Sequence, residues 1–420
     1  MNTEKLKIAI VGLGYVGLPL AIEFGKHFTT FGFDIDKKRV SDLKNGIDKT
    51  LETTSVDILS SKKLYITDEE DILRTANVYI VTVPTPVDKF NNPDLSIISI
   101  ATKMLSKYVK KGDIIIYEST VYPGVTEEFC APIVEKISNL KFNVDFFCGY
   151  SPERINPGDK EHVLTKIKKI TSGSNKEIAL IVDSLYSIII EAGTFLASSI
   201  KVAEAAKVIE NSQRDINIAF MNELAKIFNL MKIDTNEVLQ AAATKWNFLG
   251  FKPGLVGGHC IGVDPFYLAQ KAKELGYHSE IILSGRRLND SMASYIVSEF
   301  IKLMISNDCK IKGSRILILG VTFKENCPDI RNSKVFEIIH ILESYGVELI
   351  IFDSWADSEE VLKEYNVVMS KKIENNYDGI IIAVGHENFN DFPFIKWKES
   401  GCIIYDVKSF LPINHSTSRL

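Results

Sequence analysis

A cysteine in a glycine turn with a carboxylate four positions on is an arrangement suited to covalent chemistry, and the chain carries one at Gly257-Gly258-His259-Cys260-Ile261-Gly262-Val263-Asp264. The glycines strip bulk from the approach, so a substrate carbon can come within bonding distance of the sulfur. Asp264, at i+4, is expected to share a helical face with Cys260 and to accept protons. A single cysteine is more often a small buried hydrophobe, and here the glycines and the aspartate tilt the reading toward reactivity. No second Cys or His stands at a ligand spacing beside His259 and Cys260, so no metal is expected.

Other polar groups fall where chemistry is done. Lys207, Asn211 and Arg214, at i, i+4 and i+7, line an ammonium, an amide and a guanidinium along one helical stripe, either a solvated face or the wall of a cleft. Thr85 in Pro84-Thr85-Pro86 and Thr120 in Glu118-Ser119-Thr120-Val121-Tyr122-Pro123-Gly124 follow apolar runs and read as cofactor contacts or as turn caps. Glu153, in Tyr150-Ser151-Pro152-Glu153-Arg154-Ile155, reads as a catalytic carboxylate or half of a surface pair. Phe323-Lys324-Glu325-Asn326 and Asp329-Ile330-Arg331 put two cations on one loop ahead of a helix, which suits a diphosphate.

Positioning these groups requires parallel strands with loops at their carboxyl ends. Lys7-Ile8-Ala9-Ile10-Val11 reads as a buried strand running into Gly12-Leu13-Gly14-Tyr15-Val16-Gly17 and then a helix. Gly12 serves the tight turn, Gly14 the approach of a pyrophosphate and Gly17 close helix–strand packing. Asp34 ends the next strand and is placed to bond ribose hydroxyls, which favours NAD over NADP; Arg39 is read as packing near the adenine. Further apolar strands at 78–83 and 114–117 make this a doubly wound sheet. The segment 199–231 has the spacing of one long helix, 279–306 also reads as helical, and strands from Ser314 onward build a second α/β domain. The expected architecture is α/β, with two Rossmann-like doubly wound domains joined by a long central helix and a helical dimerisation region. The expected boundaries are 1–198, 199–308 and 309–420, with a loose tail from Asn414.

Composition narrows the class. The 420 residues suffice for two or three domains, and 45% hydrophobic with 25% charged residues is the balance of a soluble enzyme. A formal net charge of −5 without a basic run argues against nucleic acid. Six scattered cysteines with no secretory signal point to reduced thiols in the cytoplasm. Apolar runs such as 380–384 are strand-sized, far below the ~20 residues of a membrane span.

In combination the motifs Glu118-Ser119-Thr120-Val121-Tyr122-Pro123-Gly124, Lys245-Trp246-Asn247-Phe248-Leu249 and Gly257-Gly258-His259-Cys260 resemble those of the nucleotide-sugar 6-dehydrogenase family of UDP-glucose, GDP-mannose and UDP-N-acetylhexosamine dehydrogenases. The resemblance runs end to end and is nearest the capsule-forming N-acetylhexosamine branch. It implies an NAD-dependent, four-electron oxidation of a UDP-sugar at C6 by a cytoplasmic homodimer, with Cys260 as nucleophile. Lys207 and Asp264 then handle protons and charge, Asn211 holds the sugar, and Thr120 and Glu153 position and activate water. By the same resemblance Gly12, Gly14, Tyr15, Val16, Gly17, Asp34, Arg39, Thr85, Thr120 and Arg331 contact NAD. Arg154, Ile155, Lys207, Asn211, Arg214, Gly257 and Lys324 contact the nucleotide sugar. The resemblance implies UDP-N-acetylglucosamine ahead of UDP-N-acetylgalactosamine, UDP-N-acetylmannosamine and UDP-glucose, and Val256, standing where the UDP-glucose branch has a Phe, is consistent with space for an N-acetyl group. A single-step hydroxyacid-type dehydrogenase and a silent dinucleotide-binding protein are the rival classes.

Overall fold

Runs of Ile and Val bounded by glycine and polar turns form strands buried on both faces, and successive side chains feed two different cores. The computed structural model describes residues 6–88, 91–155, 163–258 and 261–420. The chain divides into two units, Met1–Glu210 with Phe266–His278, and Asn211–Pro265 with Ser279–Leu420.

The first unit holds an eight-stranded sheet built from β1 (Lys7–Val11), β2 (Thr29–Phe33), β3 (Leu64–Thr67), β4 (Val78–Val81), β5 (Ile114–Tyr117), β6 (Phe147–Tyr150), β7 (Lys169–Gly173) and β8 (Thr194–Leu196). Their order is β3-β2-β1-β4-β5-β6-β7-β8, parallel except where β6 meets β7. Ile8, Ile10, Ile80, Ile114 and Ile116 enter one core with the helix Gly17–His27. Ala9, Val11, Tyr79, Val81, Ile115 and Tyr117 enter the other. Parallel register brings the carboxyl ends of β1, β4 and β5 level, so the loops after Val11, Val81 and Tyr117 share one edge.

The second unit has a five-stranded parallel sheet of β9 (Arg315–Leu319), β10 (Glu348–Phe352), β11 (Gly379–Ile382), β12 (Ile403–Asp406) and β13 (Ser418–Arg419), in the order β10-β9-β11-β12-β13. Ile316 and Ile318 face one core, Leu317 and Leu319 the other. The long helix spans Ile200–Met231, free of Gly and Pro, and the division between units falls inside it.

Two expectations need correction. The helical stretch 279–306 is two helices, Glu280–Asp290 and Met292–Ser306. At the break Ser291 Oγ donates to the Leu288 carbonyl at 2.7 Å and accepts from Lys226 Nζ at 2.9 Å, a side-chain alternative to uninterrupted backbone pairing. The tail from Asn414 is not loose: Ser418 and Arg419 pair with Tyr405 and Asp406, and Leu420 is buried. Arg419 also grips Asp234 through Nε and Nη2, each at 2.7 Å, and a two-point pair of this kind fixes geometry as well as charge.

Gly17 has no room for a side chain, since a Cβ there would lie 1.8 Å from the Gly12 carbonyl oxygen and 2.5 Å from Thr82 Oγ1, whereas a Cβ on Gly14 would meet nothing within 4 Å. Gly17→Ala is therefore expected to destabilise the first unit by about 1–3 kcal/mol, and Gly14→Ala to leave it near wild type. Denaturant unfolding of the two variants checks this; equal midpoints would show that the turn tolerates the methyl.

Candidate active site

In the first unit the turn after β1 is shaped by Gly12, whose φ of +98° is left-handed. The carboxylate of Asp34, just past β2, closes the turn by accepting the Leu13 N–H at 2.7 Å and the Asp36 N–H at 2.9 Å. Arg39 lies against the same turn, donating from Nε to the Leu13 carbonyl at 2.9 Å and from Nη1 to Asp48 at 2.8 Å. Asp48, which the sequence reading passed over, is buried and also accepts from Thr50 and Thr53. Burial works against its charge, but Thr50 and Arg39 together hold its carboxyl below the usual range. Tyr15 and Val16 are half-buried in the same turn.

At the ends of β4 and β5, Thr85 Oγ1 donates to the Thr120 carbonyl at 2.6 Å, which ties the two loops together, while Ser119 Oγ donates to the Val83 carbonyl at 2.6 Å. Thr85 thus does act as a turn tie, with Thr120 beside it. Glu153 is neither exposed nor half of a surface pair: it is buried, and its Oε2 takes Lys169 Nζ at 2.5 Å. Its Oε1 accepts the N–H groups of Arg154 and Ile155 at 2.5 and 2.9 Å. Lys169 also meets Glu118 at 2.7 Å, and Glu118 in turn accepts from the Tyr186 hydroxyl. Lys207 is buried as well, its Nζ donating to the Glu153 carbonyl at 2.8 Å. The stripe on the long helix is therefore not a solvated face at Lys207, although Arg214 is exposed and Asn211 half-buried. Arg154 turns onto the same helix, reaching the carbonyls of Lys207 and Ala206 at 3.2 and 2.9 Å and Glu210 at 2.7 Å. One turn earlier, Glu204 fixes the loop after β5 by accepting the N–H groups of Gly124 and Thr126 at 2.5 and 2.9 Å. Burial pushes the Glu204 carboxyl up to about 7 despite those two donors.

In the second unit Asp264 is buried and accepts from Asn211 Nδ2 at 2.5 Å. It opens the helix Asp264–Glu274, and Ile261–Val263 form a turn ahead of it. Cys260, with His259, lies outside the described residues, and so does the expected i+4 relation between Cys260 and Asp264. The loop leading to Cys260 is clasped by Asn222, which donates to the Gly254 carbonyl at 3.0 Å and accepts the Gly254 N–H at 2.8 Å. A Cβ on Gly257 would lie 2.7 Å from the Asn332 carbonyl oxygen, so the loop passes directly against the backbone after β9.

That backbone carries Lys324, half-buried, and Arg331, which pairs with Asp329 through Nε at 2.9 Å and Nη2 at 2.7 Å. Asp353, past β10, accepts the Val321 N–H at 2.6 Å, the position Asp34 occupies in the first unit. His386 Nδ1 accepts the Asn326 N–H at 2.9 Å, which puts the ring proton on Nε2, 3.1 Å from Asp353 Oδ2. Among the described residues no group of three or more His, Cys, Asp or Glu side chains is placed to hold a metal ion. Lys169, Glu204 and His386 escaped the sequence reading. Lys169 follows Lys166 and Lys168, with nothing local to single it out, and Glu204 is marked only by the alanines around it.

Three family models match in succession: the UDP-glucose/GDP-mannose dehydrogenase family's NAD binding domain at 6–190, its central domain at 201–291 and its UDP binding domain at 317–412. The UDP-N-acetyl-D-glucosamine 6-dehydrogenase of Pseudomonas aeruginosa is 55% identical, over 99% of this chain and 100% of that one. The protein of that name from Salmonella typhi is 53% identical, over 99% of each. Among solved structures, the UDP-D-ManNAc dehydrogenase of Pyrococcus horikoshii superposes with a TM-score of 0.89 at 28% identity, covering 99% of this chain and 98% of that one.

The cofactor is NAD, and the residues fit it. Open space over Gly14 leaves the turn approachable by a pyrophosphate, and Arg39 Nη2 is a buried donor with no partner among the described residues. Each oxygen of Asp34 keeps a lone pair for ribose hydroxyls.

Glu204 makes the loop after β5 sensitive to pH. Its folded pKa of about 7 lies above the ordinary 4.5, so its contribution to stability is intact below about pH 4.5 and is lost as the pH rises through about 7. Glu204→Gln cannot ionise, so its unfolding free energy relative to wild type should improve as the pH is raised across that window. A difference that stays constant with pH would mean that Glu204 titrates normally.

Proposed function

The chain belongs to the UDP-glucose/GDP-mannose dehydrogenase family, and on that premise we propose that it oxidises the C6 hydroxyl of UDP-N-acetylglucosamine to the carboxylate, for a surface polysaccharide. The observation that carries the substrate is the end-to-end identity to two enzymes of that name. The buried Lys207 ammonium, fixed on the Glu153 carbonyl, supports the reaction class.

Alcohol to acid is a four-electron change, and NAD, when bound, supplies a hydride acceptor for each of its two oxidative steps. The aldehyde must not escape between them. Cys260 captures it: the thiolate sulfur bonds to C6 as a thiohemiacetal, the next oxidation leaves a thioester, and water cleaves the C–S bond to release the uronate and the thiolate. Lys207 holds a positive charge against the oxyanion that forms at C6, and Glu153 with Thr120 orients the hydrolytic water. Asn211, which donates to Asp264, holds the sugar, and Asp264 takes up protons. Gly257, Lys324, Arg214, Arg154 and Ile155 serve the nucleotide sugar, and Arg331 the cofactor. Phosphate contacts are common to the class, so sugar choice falls to the pocket: an N-acetyl group needs a partner for its amide and apolar space for its methyl.

The long helix exposes Ile209, Phe220, Leu230 and Met231, apolar area that suits a second copy of the chain in a homodimer. No helix among the described residues is long and apolar enough to cross a membrane. A cytoplasmic location fits the supply of NAD and UDP-sugar.

The test is kcat/KM across UDP-N-acetylglucosamine, UDP-N-acetylgalactosamine, UDP-N-acetylmannosamine and UDP-glucose with NADH counted per sugar. Preference for the first with two NADH per sugar is expected. Equal or better use of UDP-glucose would overturn the substrate, and one NADH per sugar the mechanism. Cys260→Ala should abolish net turnover, and Lys207→Ala should lower kcat by about 10²-fold or more with little change in sugar KM. A change confined to KM would make Lys207 a binding residue.

A further inference from the structure

Two buried carboxylates share one buried ammonium in the first unit. Lys169, at the start of β7 and 3% exposed in its side chain, places Nζ 2.7 Å from Glu118 Oε2 and 2.5 Å from Glu153 Oε2. Glu118 is held on its other oxygen by the Tyr186 hydroxyl, and the Tyr186 ring lies 5.5 Å from Lys169 Nζ. Burial pushes the Glu118 carboxyl up, Lys169 pulls it down and Glu153 pushes it up again. For Lys169, burial opposes the charge, but Glu118 and then Glu153 overcome it and raise its pKa above the ordinary value. The ammonium is thus a fixed charge that two acids compete for.

What Lys169 holds matters because Glu153 grips Lys207 with its own carbonyl, at 2.8 Å. Six groups converge on Glu153: Lys169 from β7, Glu118 from the end of β5, Tyr186 from the helix Lys176–Ser187, Lys207 from the long helix, and the N–H groups of Arg154 and Ile155 beside it in sequence. Three donors, Lys169 Nζ and the N–H groups of Arg154 and Ile155, occupy the carboxylate. Lys169 is the charged one of the three.

We propose that Lys169 is a positioning residue of this enzyme: shared with Glu118, it holds the Glu153 carboxylate turned toward it, and through the Glu153 main chain it keeps the Lys207 ammonium where the oxyanion forms. The assignment rests on reading Glu153 and Lys207 as members of the active site.

The experiment is kcat and sugar KM, with NAD and UDP-N-acetylglucosamine, for wild type, Lys169→Met, Lys169→Gln, Lys169→Arg and Glu153→Gln. Lys169→Met should lower kcat by about ten-fold or more and leave KM within about two-fold. Lys169→Arg, which keeps the charge, should return kcat toward wild type. A loss in Lys169→Met that falls on KM as much as on kcat, or a Lys169→Arg no better than Lys169→Met, would reduce Lys169 to a structural role and overturn the proposal. If Lys169→Met does not fold, Lys169→Gln, which keeps a donor without the charge, decides by the same split. Wild-type kcat in Glu153→Gln would instead overturn the reading of Glu153, a result separable from failure of Lys169.

Discussion

A charge taken out of water must find a partner or be neutralised, an acid by gaining a proton and a base by losing one, and the polar interior of this protein is organised by that requirement. Removing one member of a buried pair typically costs about 3–5 kcal/mol, because the other is stranded. The chain meets the requirement in different ways in its two units. In the first, Lys169 answers Glu118 and Glu153, while Glu204 is met by two main-chain N–H groups and by proton uptake. In the second, Arg286 meets Asp215 at 2.5 Å, and Asn289 completes the cluster at 2.8 Å. In each case a segment or side chain near the site is fixed as a by-product. Glu204 fixes the loop after β5, Glu153 fixes Lys207, and Asn222, bonded to Asn289 at 2.8 Å, fixes the strand of loop that leads to the thiol turn.

The same device recurs at the carboxyl edges of both sheets. An aspartate just past one strand, Asp34 or Asp353, accepts the N–H of the turn that follows the neighbouring strand. The turn itself differs. After β1 the chain needs Gly12, Gly14 and Gly17, which leave room for a pyrophosphate and for a helix packed hard on the strand. After β9 it keeps Gly320, with φ of +84°, and then Val321 and Thr322. The second aspartate therefore looks to a histidine, His386, which also accepts the Asn326 N–H and so shapes the loop carrying Lys324. One topology thus yields a dinucleotide turn in the first unit and a more enclosed loop in the second.

Much of the architecture is legible in the sequence because its signals are local. Apolar runs such as Ile114-Ile115-Ile116-Tyr117 are buried strands, the glycine turn opens the helix at Gly17, and a stretch without Gly or Pro is one helix from Ile200 to Met231. Strand periodicity, helix periodicity and left-handed glycine positions are properties of neighbours in the chain, so neighbours reveal them. The family and its cofactor were legible for the same reason, since their motifs are short runs at strand ends.

Partnerships were decided only by the tertiary structure. Lys169 lies 51 residues from Glu118 in sequence, and Arg419 lies 185 from Asp234. No local pattern distinguishes Lys169 from Lys168, or shows that Glu153 is buried rather than half of a surface pair. The tail was expected to be loose because chain ends usually are, and it is held by a strand register and an ion pair that involve distant segments. The types of groups available for chemistry are written along the chain, but which of them lose water together depends on strand order and register, and that is a property of the folded sheet.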